Sequence, residues 1–228
     1  MIELVIFDCD GVLVDSEMIA ARVTADLLGE LGAEISCEDV LTAFAGLDAD
    51  ATLRCIESDY GIALPQDFND RDARNLELAF RAELQPMAGV MLLLQKLDVP
   101  FCVASNSSHA RLRQTFLLTG LAPLVEGGVF SADDVTRGKP APDLFWHAAA
   151  RMGDIPADRC LVIEDSIVGV TAARVAGMRV IGFCGGSHIR TGHDLRLRAL
   201  GAETVVSDHD ALGAYLPLTG DVASHRTA

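Results

Sequence analysis

Basic residues are scarce: 18 Lys and Arg face 33 Asp and Glu in 228 residues, a formal charge of −15. A nucleic-acid or anionic-membrane surface needs a dense basic patch, so neither is expected as a partner. An anionic ligand has to be drawn in locally, by a bound cation and a few placed basic groups. Long apolar runs are missing too. Stretches such as residues 90–94 fall far short of the roughly 20 residues that span a bilayer, and no transmembrane helix is expected. No two of the six cysteines have the CxxC spacing of a zinc site. Cys9, Cys102 and Cys160 lie in or beside apolar runs, Cys37, Cys55 and Cys184 are scattered, and all are read as reduced thiols. No charged leader with an apolar signal segment precedes the first strand, which makes the cytoplasm the expected compartment. There is no internal repeat and no low-complexity tract.

What is present is enough for a buried core: half of the residues are hydrophobic and 22% are charged. At this length a core with a smaller companion is expected. Residues 3–8, Glu-Leu-Val-Ile-Phe-Asp, form a short apolar run closed by a carboxylate, the pattern of a parallel strand covered on both faces. Similar runs occupy 100–104, 159–163 and 179–183, separated by helical patterns at 90–97, 110–118, 142–152 and 168–176. This alternation predicts an α/β fold, a Rossmann-like doubly wound parallel sheet. The chain between Asp8 and Pro100 is far longer than one crossover helix requires. It reads as helices at 17–32, 37–45, 48–59 and 67–84, punctuated by Gly46, Gly61-Ile62 and Pro65, with Pro86 and Gly89 marking the return. The expected organisation is a catalytic core of residues 1–15 and 86–218, an inserted all-helical cap of 16–85, and a polar fraying tail from 219 to 228.

The segment Asp8-Cys9-Asp10-Gly11-Val12-Leu13-Val14-Asp15 places two carboxylates two residues apart at the carboxyl end of the first strand, where ligands bind in open parallel sheets. Two such acids are tolerable only with a cation, a shared proton or full exposure, and a hard oxygen-seeking cation such as magnesium fits best. If the extended backbone continues through Cys9, its side chain points away from both acids and packs. Further along, the second core strand ends in Ser105-Asn106-Ser107, where hydroxyl and amide groups can grip phosphate oxygens. Lys139 follows in Gly138-Lys139-Pro140-Ala141-Pro142-Asp143, and the strand Leu161-Val162-Ile163 runs into Glu164-Asp165-Ser166. Taken singly these are a turn, a helix cap, a loop charge and an acidic helix start. Their order decides between the readings.

A strand ending Asp-x-Asp-Gly-Val-Leu-Val-Asp-Ser, then a Ser, a Lys and an acidic pair, resembles the four motifs of the haloacid dehalogenase superfamily, over nearly the whole chain. The resemblance implies a phosphatase in which Asp8 is the nucleophile, Asp10 the general acid and base, and Ser105 and Lys139 stabilise the transferring phosphoryl group. Ser105, Asn106 and Lys139 would bind substrate. It implies Mg2+ held by the Asp8 carboxylate, the Asp10 backbone carbonyl and Asp165, with Glu164 supporting through water. The helical insertion resembles the beta-phosphoglucomutase and phosphoglycolate phosphatase subgroup, whose caps close over small soluble phosphorylated metabolites. The mutases carry a histidine and an arginine where this chain has Ala20 and Ala49, which weakens a phosphomutase alternative. Carbon-halogen cleavage needs no metal and is disfavoured by Asp10 and Glu164-Asp165, while an inactive binding module would have lost one of these residues. A narrower likeness, through Phe7-Asp8-Cys9-Asp10 and Cys102-Val103-Ala104-Ser105-Asn106, is to bacterial 6-phosphogluconate phosphatases. In the cap, Arg71, Arg74 and Arg81 recur at helical spacing, and Arg74 is the first choice for a substrate contact. Trp146 and His147 are assigned no role.

Overall fold

The computed structural model describes residues 1–43 and 49–219. Gly46 and the boundaries expected at 45 and 48 lie outside the described residues, as does all but the first residue of the expected tail.

The chain begins with β1 (Leu4–Phe7), then four helices follow: α1 (Glu17–Glu30), α2 (Cys37–Ala43), α3 (Ala49–Tyr60) and α4 (Phe68–Glu83). The core resumes with α5 (Val90–Lys96), β2 (Phe101–Ser105), α6 (His109–Thr119), β3 (Val129–Ser131), α7 (Asp143–Arg151) and β4 (Cys160–Glu164). It closes with α8 (Ile167–Val175), β5 (Arg179–Phe183), α9 (His193–Ala199), β6 (Thr204–Val206) and α10 (His209–Gly213). The six strands form one sheet in the order β3-β2-β1-β4-β5-β6, and every pairing is parallel. The doubly wound sheet with an inserted helical cap is therefore as expected. Two strands are additions to the sequence reading: β3 and β6, each three residues long and lying at opposite edges.

The central strands are apolar throughout because both faces are covered. Alternate residues go to opposite sides. Val5, Phe7, Val103, Leu161, Ile163 and Ile181 pack with α5 and α6 residues such as Leu93, Leu94, Leu112 and Phe116. Leu4, Ile6, Cys102, Ala104, Val162 and Val180 pack on the other face, with Leu144 and Phe145 of α7 and Val170 and Ala173 of α8. The inserted helices carry their own apolar centre of Leu27, Leu28, Ile56 and Phe68. Two short antiparallel segments join the insertion to the core: Val14 bridges Pro86, and the Met87 N–H donates to the Leu13 carbonyl at 2.9 Å. Among the described residues, no helix is long and apolar enough to cross a membrane.

Strand β1 is flanked by β2 on one side and β4 on the other, and the chain runs outward in opposite senses from this point. A crevice opens at the carboxyl ends of strands where the winding reverses. The register sets Phe7 beside both Val103 and Ile163, so the residues that follow these three strands converge there.

Candidate active site

Asp8 leaves β1 with its N–H donating to the Ile163 carbonyl at 3.0 Å, which continues the ladder by one residue and aims the next turn at β4. Gly11 in that turn has φ +78°, and a β-carbon there would sit 1.9 Å from Asp165 Oδ2. Only glycine lets the turn lie this close to the acidic pair. Cys9 is fully buried in the core cluster with Val5 and Phe7, the packing place expected of it.

Lys139 is buried, and its Nζ donates to Asp8 Oδ1 at 2.7 Å and to Glu164 Oε1 at 2.6 Å, with the Phe145 ring centroid 5.0 Å away. Burial opposes its charge, but Asp8 and Glu164 outweigh that and hold its pKa above the ordinary lysine value. The Lys139 loop is clamped by Asn106: the Asn106 carboxamide donates to the Lys139 carbonyl at 3.0 Å and accepts from the Lys139 N–H at 2.8 Å. Glu164 is held from its other side by the N–H and hydroxyl of Ser166, at 3.0 and 2.9 Å.

Asp8, Glu164 and Asp165 each offer a carboxylate oxygen, and these oxygens lie within 4.8 Å of one another. Burial, reinforced by the neighbouring acids, pushes Asp8 well above the usual carboxylate range despite Lys139. Asp165 is raised for the same reason, by burial first and then by Glu164 and Glu17. One ammonium does not neutralise three buried carboxylates. A hard, oxygen-seeking divalent cation would, and an all-oxygen donor set fits magnesium.

Asp10 is handled differently. Its Oδ1 accepts from Ser16 Oγ at 2.6 Å, its Oδ2 from Ser107 Oγ at 2.7 Å, and Arg111 Nη2 stands 3.4 Å from Oδ1. Burial raises its pKa, but Arg111 and the two hydroxyls outweigh burial and leave it lowered, so Asp10 is ionised in the resting site. Two carboxylates two residues apart thus titrate in opposite directions, the separation expected of groups with different tasks.

A family model for haloacid dehalogenase-like hydrolases matches residues 2–177. The chain belongs to that family. It is 31% identical over 188 residues to the 6-phosphogluconate phosphatase of Escherichia coli, covering 82% of this chain and 85% of that one. Among solved structures, a haloacid dehalogenase-like protein of Agrobacterium tumefaciens superposes with TM-score 0.85 at 43% identity, covering 94% of this chain and 97% of that one. A family hydrolase of Deinococcus radiodurans, solved with bound phosphate and sodium, gives 0.79 at 32% identity, covering 95% and 98%.

Of the residues singled out from sequence, Asp8, Asp10, Ser105, Asn106, Lys139, Glu164 and Asp165 surround this one crevice of the hydrolase fold. Arg74 is exposed on α4, Arg71 pairs with Glu30 and Arg81 with Glu77. The cation beside Asp10 is Arg111, from the core. Sequence reasoning also missed His188, whose Nε2 lies 3.0 Å from Asp165 Oδ2 and whose buried Nδ1 has no partner among the described residues. It missed His193 as well, whose ring meets the Asp165 carbonyl at 2.6 Å. The available signal was position: the 184–193 segment follows the carboxyl end of β5, one strand from the acidic pair.

Proposed function

We propose that this hydrolase cleaves a phosphate monoester of a small hydroxylated metabolite, a sugar or sugar-acid phosphate, through an aspartyl-phosphate on Asp8. The observation that carries the reading is a buried Asp8 bonded to Lys139 at 2.7 Å beside a second acidic pair, at the crevice where the sheet reverses. The relatedness to the 6-phosphogluconate phosphatase of Escherichia coli supports the substrate class.

In the first step an Asp8 oxygen bonds to phosphorus as the ester P–O bond breaks, dividing one difficult displacement into two easier ones. Asp10 gives its proton to the leaving oxygen and then takes one from the water that cleaves the acyl phosphate, which restores Asp8 and frees inorganic phosphate. Resting Asp10 is ionised, so the negative charge of the arriving phosphate is what draws a proton onto it. Lys139 and Ser105 offset charge on the transferring oxygens. Asp8, Asp165 and the Asp10 backbone carbonyl would hold Mg2+. Both Glu164 oxygens are taken by Lys139 and Ser166, which suits support through water. Magnesium, when bound, supplies positive charge for the phosphoryl oxygens and for the crowded carboxylates.

The test is phosphate release from a panel of sugar phosphates, 6-phosphogluconate and phosphoglycolate included, with magnesium and with chelator. Magnesium-dependent release concentrated on one compound is the expected result. Release that survives full chelation removes the metal from the reading, and isomerisation of a sugar phosphate without release replaces the phosphatase by a mutase.

A further inference from the structure

Arg111 lies in the first turn of α6, where its N–H donates to the capping Ser108 hydroxyl at 3.3 Å, so the helix start fixes where its side chain leaves the backbone. That side chain reaches out of the core toward the cap. Its guanidinium carbon is 5.3 Å from the Phe80 ring centroid on α4, and α4 packs on α6. On the other side Nη2 stands 3.4 Å from Asp10 Oδ1, a long contact for a charged pair. The Nε atom is buried with no hydrogen-bond partner among the described residues. A guanidinium has five donors in a planar fork, and a buried donor left unmatched is unfavourable. This cost is borne beside the one acid that must touch the leaving oxygen.

That juxtaposition defines a subsite. A general acid protonates an oxygen only within about 3.2 Å of it. Whatever is bonded to the leaving oxygen then lies within reach of Arg111. Glu17 at the start of α1 and Asp72 on α4 act electrostatically on the same guanidinium, and Asp72 also accepts from Thr24 Oγ1 at 3.0 Å. Carboxylates outnumber the arginine there, which favours a neutral oxygen over a carboxylate as the acceptor for its free donors. Hydroxyl protons would meet the acids and hydroxyl lone pairs the fork.

We infer that Arg111 is a substrate-binding residue of the leaving-group subsite, donating to an oxygen on the carbon next to the phosphorylated one. This rests on the phosphatase reading above. It gives specificity for vicinally oxygenated esters to a core residue, one turn beyond the Ser105-Asn106-Ser107 segment.

The experiment compares kcat/KM of the parent and Arg111→Met on glycerol 3-phosphate, phosphoglycolate and propyl phosphate, which carry a vicinal hydroxyl, a vicinal carboxylate and neither. The loss is expected to be about ten- to a hundredfold larger on an oxygenated ester than on propyl phosphate. Arg111→Lys, which keeps the charge without the fork, recovers part of it. The larger loss is expected on glycerol phosphate, whose vicinal hydroxyl is the acceptor, and a larger loss on phosphoglycolate overturns the choice of a neutral oxygen. Equal loss on all three esters overturns the proposal and leaves Arg111 as a positioning residue for Asp10. Should the parent release phosphate from none of them and from no sugar phosphate either, the phosphatase reading fails by itself. Arg111 is then judged by calorimetric affinity of the same ligands for Asp8→Asn with and without Arg111→Met, an unchanged ratio overturning it.

Discussion

Asp8 and Lys139 are 131 positions apart and share a buried 2.7 Å hydrogen bond at the floor of the crevice. Because burial and the neighbouring acids push Asp8 up, its charge weakens the fold at neutral pH. Asp8→Asn is therefore expected to abolish turnover, by at least about 1,000-fold, while melting no lower than the parent. A lower melting temperature would show that the charge stabilises the fold. Lys139 is the opposite case. Its removal leaves Asp8 and Glu164 facing each other with no cation from the protein, and Lys139→Met is expected to cost about 3 kcal/mol in a urea titration. Adding Glu164→Gln should return part of that loss.

Among the elements, the turn after β1 has little freedom. Gly11 combines φ +78° with the 1.9 Å approach that a β-carbon would make to Asp165 Oδ2. Gly11→Ala is expected to lower stability by about 1–3 kcal/mol through backbone strain, and to lower activity further by moving Asp165. Equal urea midpoints for the two proteins would contradict this. The loop after β5 is tied to the segment leading into α1, since the Ser187 N–H and hydroxyl donate to Asp15 Oδ1 at 3.1 and 2.9 Å. A second tie pairs Arg190 with Glu38 on α2. Both couple the placement of His188 over Asp165 to the position of the helical insertion.

At the scale of the whole molecule, a charge of −15 and a buried acidic cluster make stability sensitive to cations and to pH. Magnesium at about 100 times its Kd should add about 2.7 kcal/mol, or roughly 5–10 °C in Tm for a chain of this length. Asp165→Ala should abolish that shift along with the magnesium dependence of activity. A preserved shift would place the ion elsewhere. Acid sensitivity has a separate source in His209, buried at the start of α10 with its ring 4.7 Å from Phe183 and Nε2 unpartnered among the described residues. Burial lowers its pKa from 6.5 to about 4, against the opposing pull of the Ala88 backbone and of Asp208 and Asp210. The unfolded chain binds this proton first, so stability is full above pH 6.5 and falls toward pH 4, by up to about 1.4 kcal/mol per unit. His209→Leu should flatten that slope, measured as urea midpoints between pH 4 and 7.

The doubly wound architecture was legible from local apolar runs, and the four acidic, hydroxyl and lysine motifs from their order along the chain. A strand buried on two faces is a continuous apolar run, and a parallel sheet puts its chemistry at strand carboxyl ends, so the residue after each run is a candidate by position alone. Edge strands β3 and β6 were not legible: at three residues, with apolar contacts set by their neighbours, they carry no period of their own. Arg111, Glu17 and His188 belong to the same class. Their meaning depends on which helix start and which loop the fold brings against Asp10 and Asp165. The amino-acid sequence by itself determined where the reacting groups stand along the chain. Tertiary structure decided which charges they face, and hence that Asp8 is raised and Asp10 lowered, because Coulomb and desolvation energies depend on distances and burial that exist only once the sheet and cap have closed on each other.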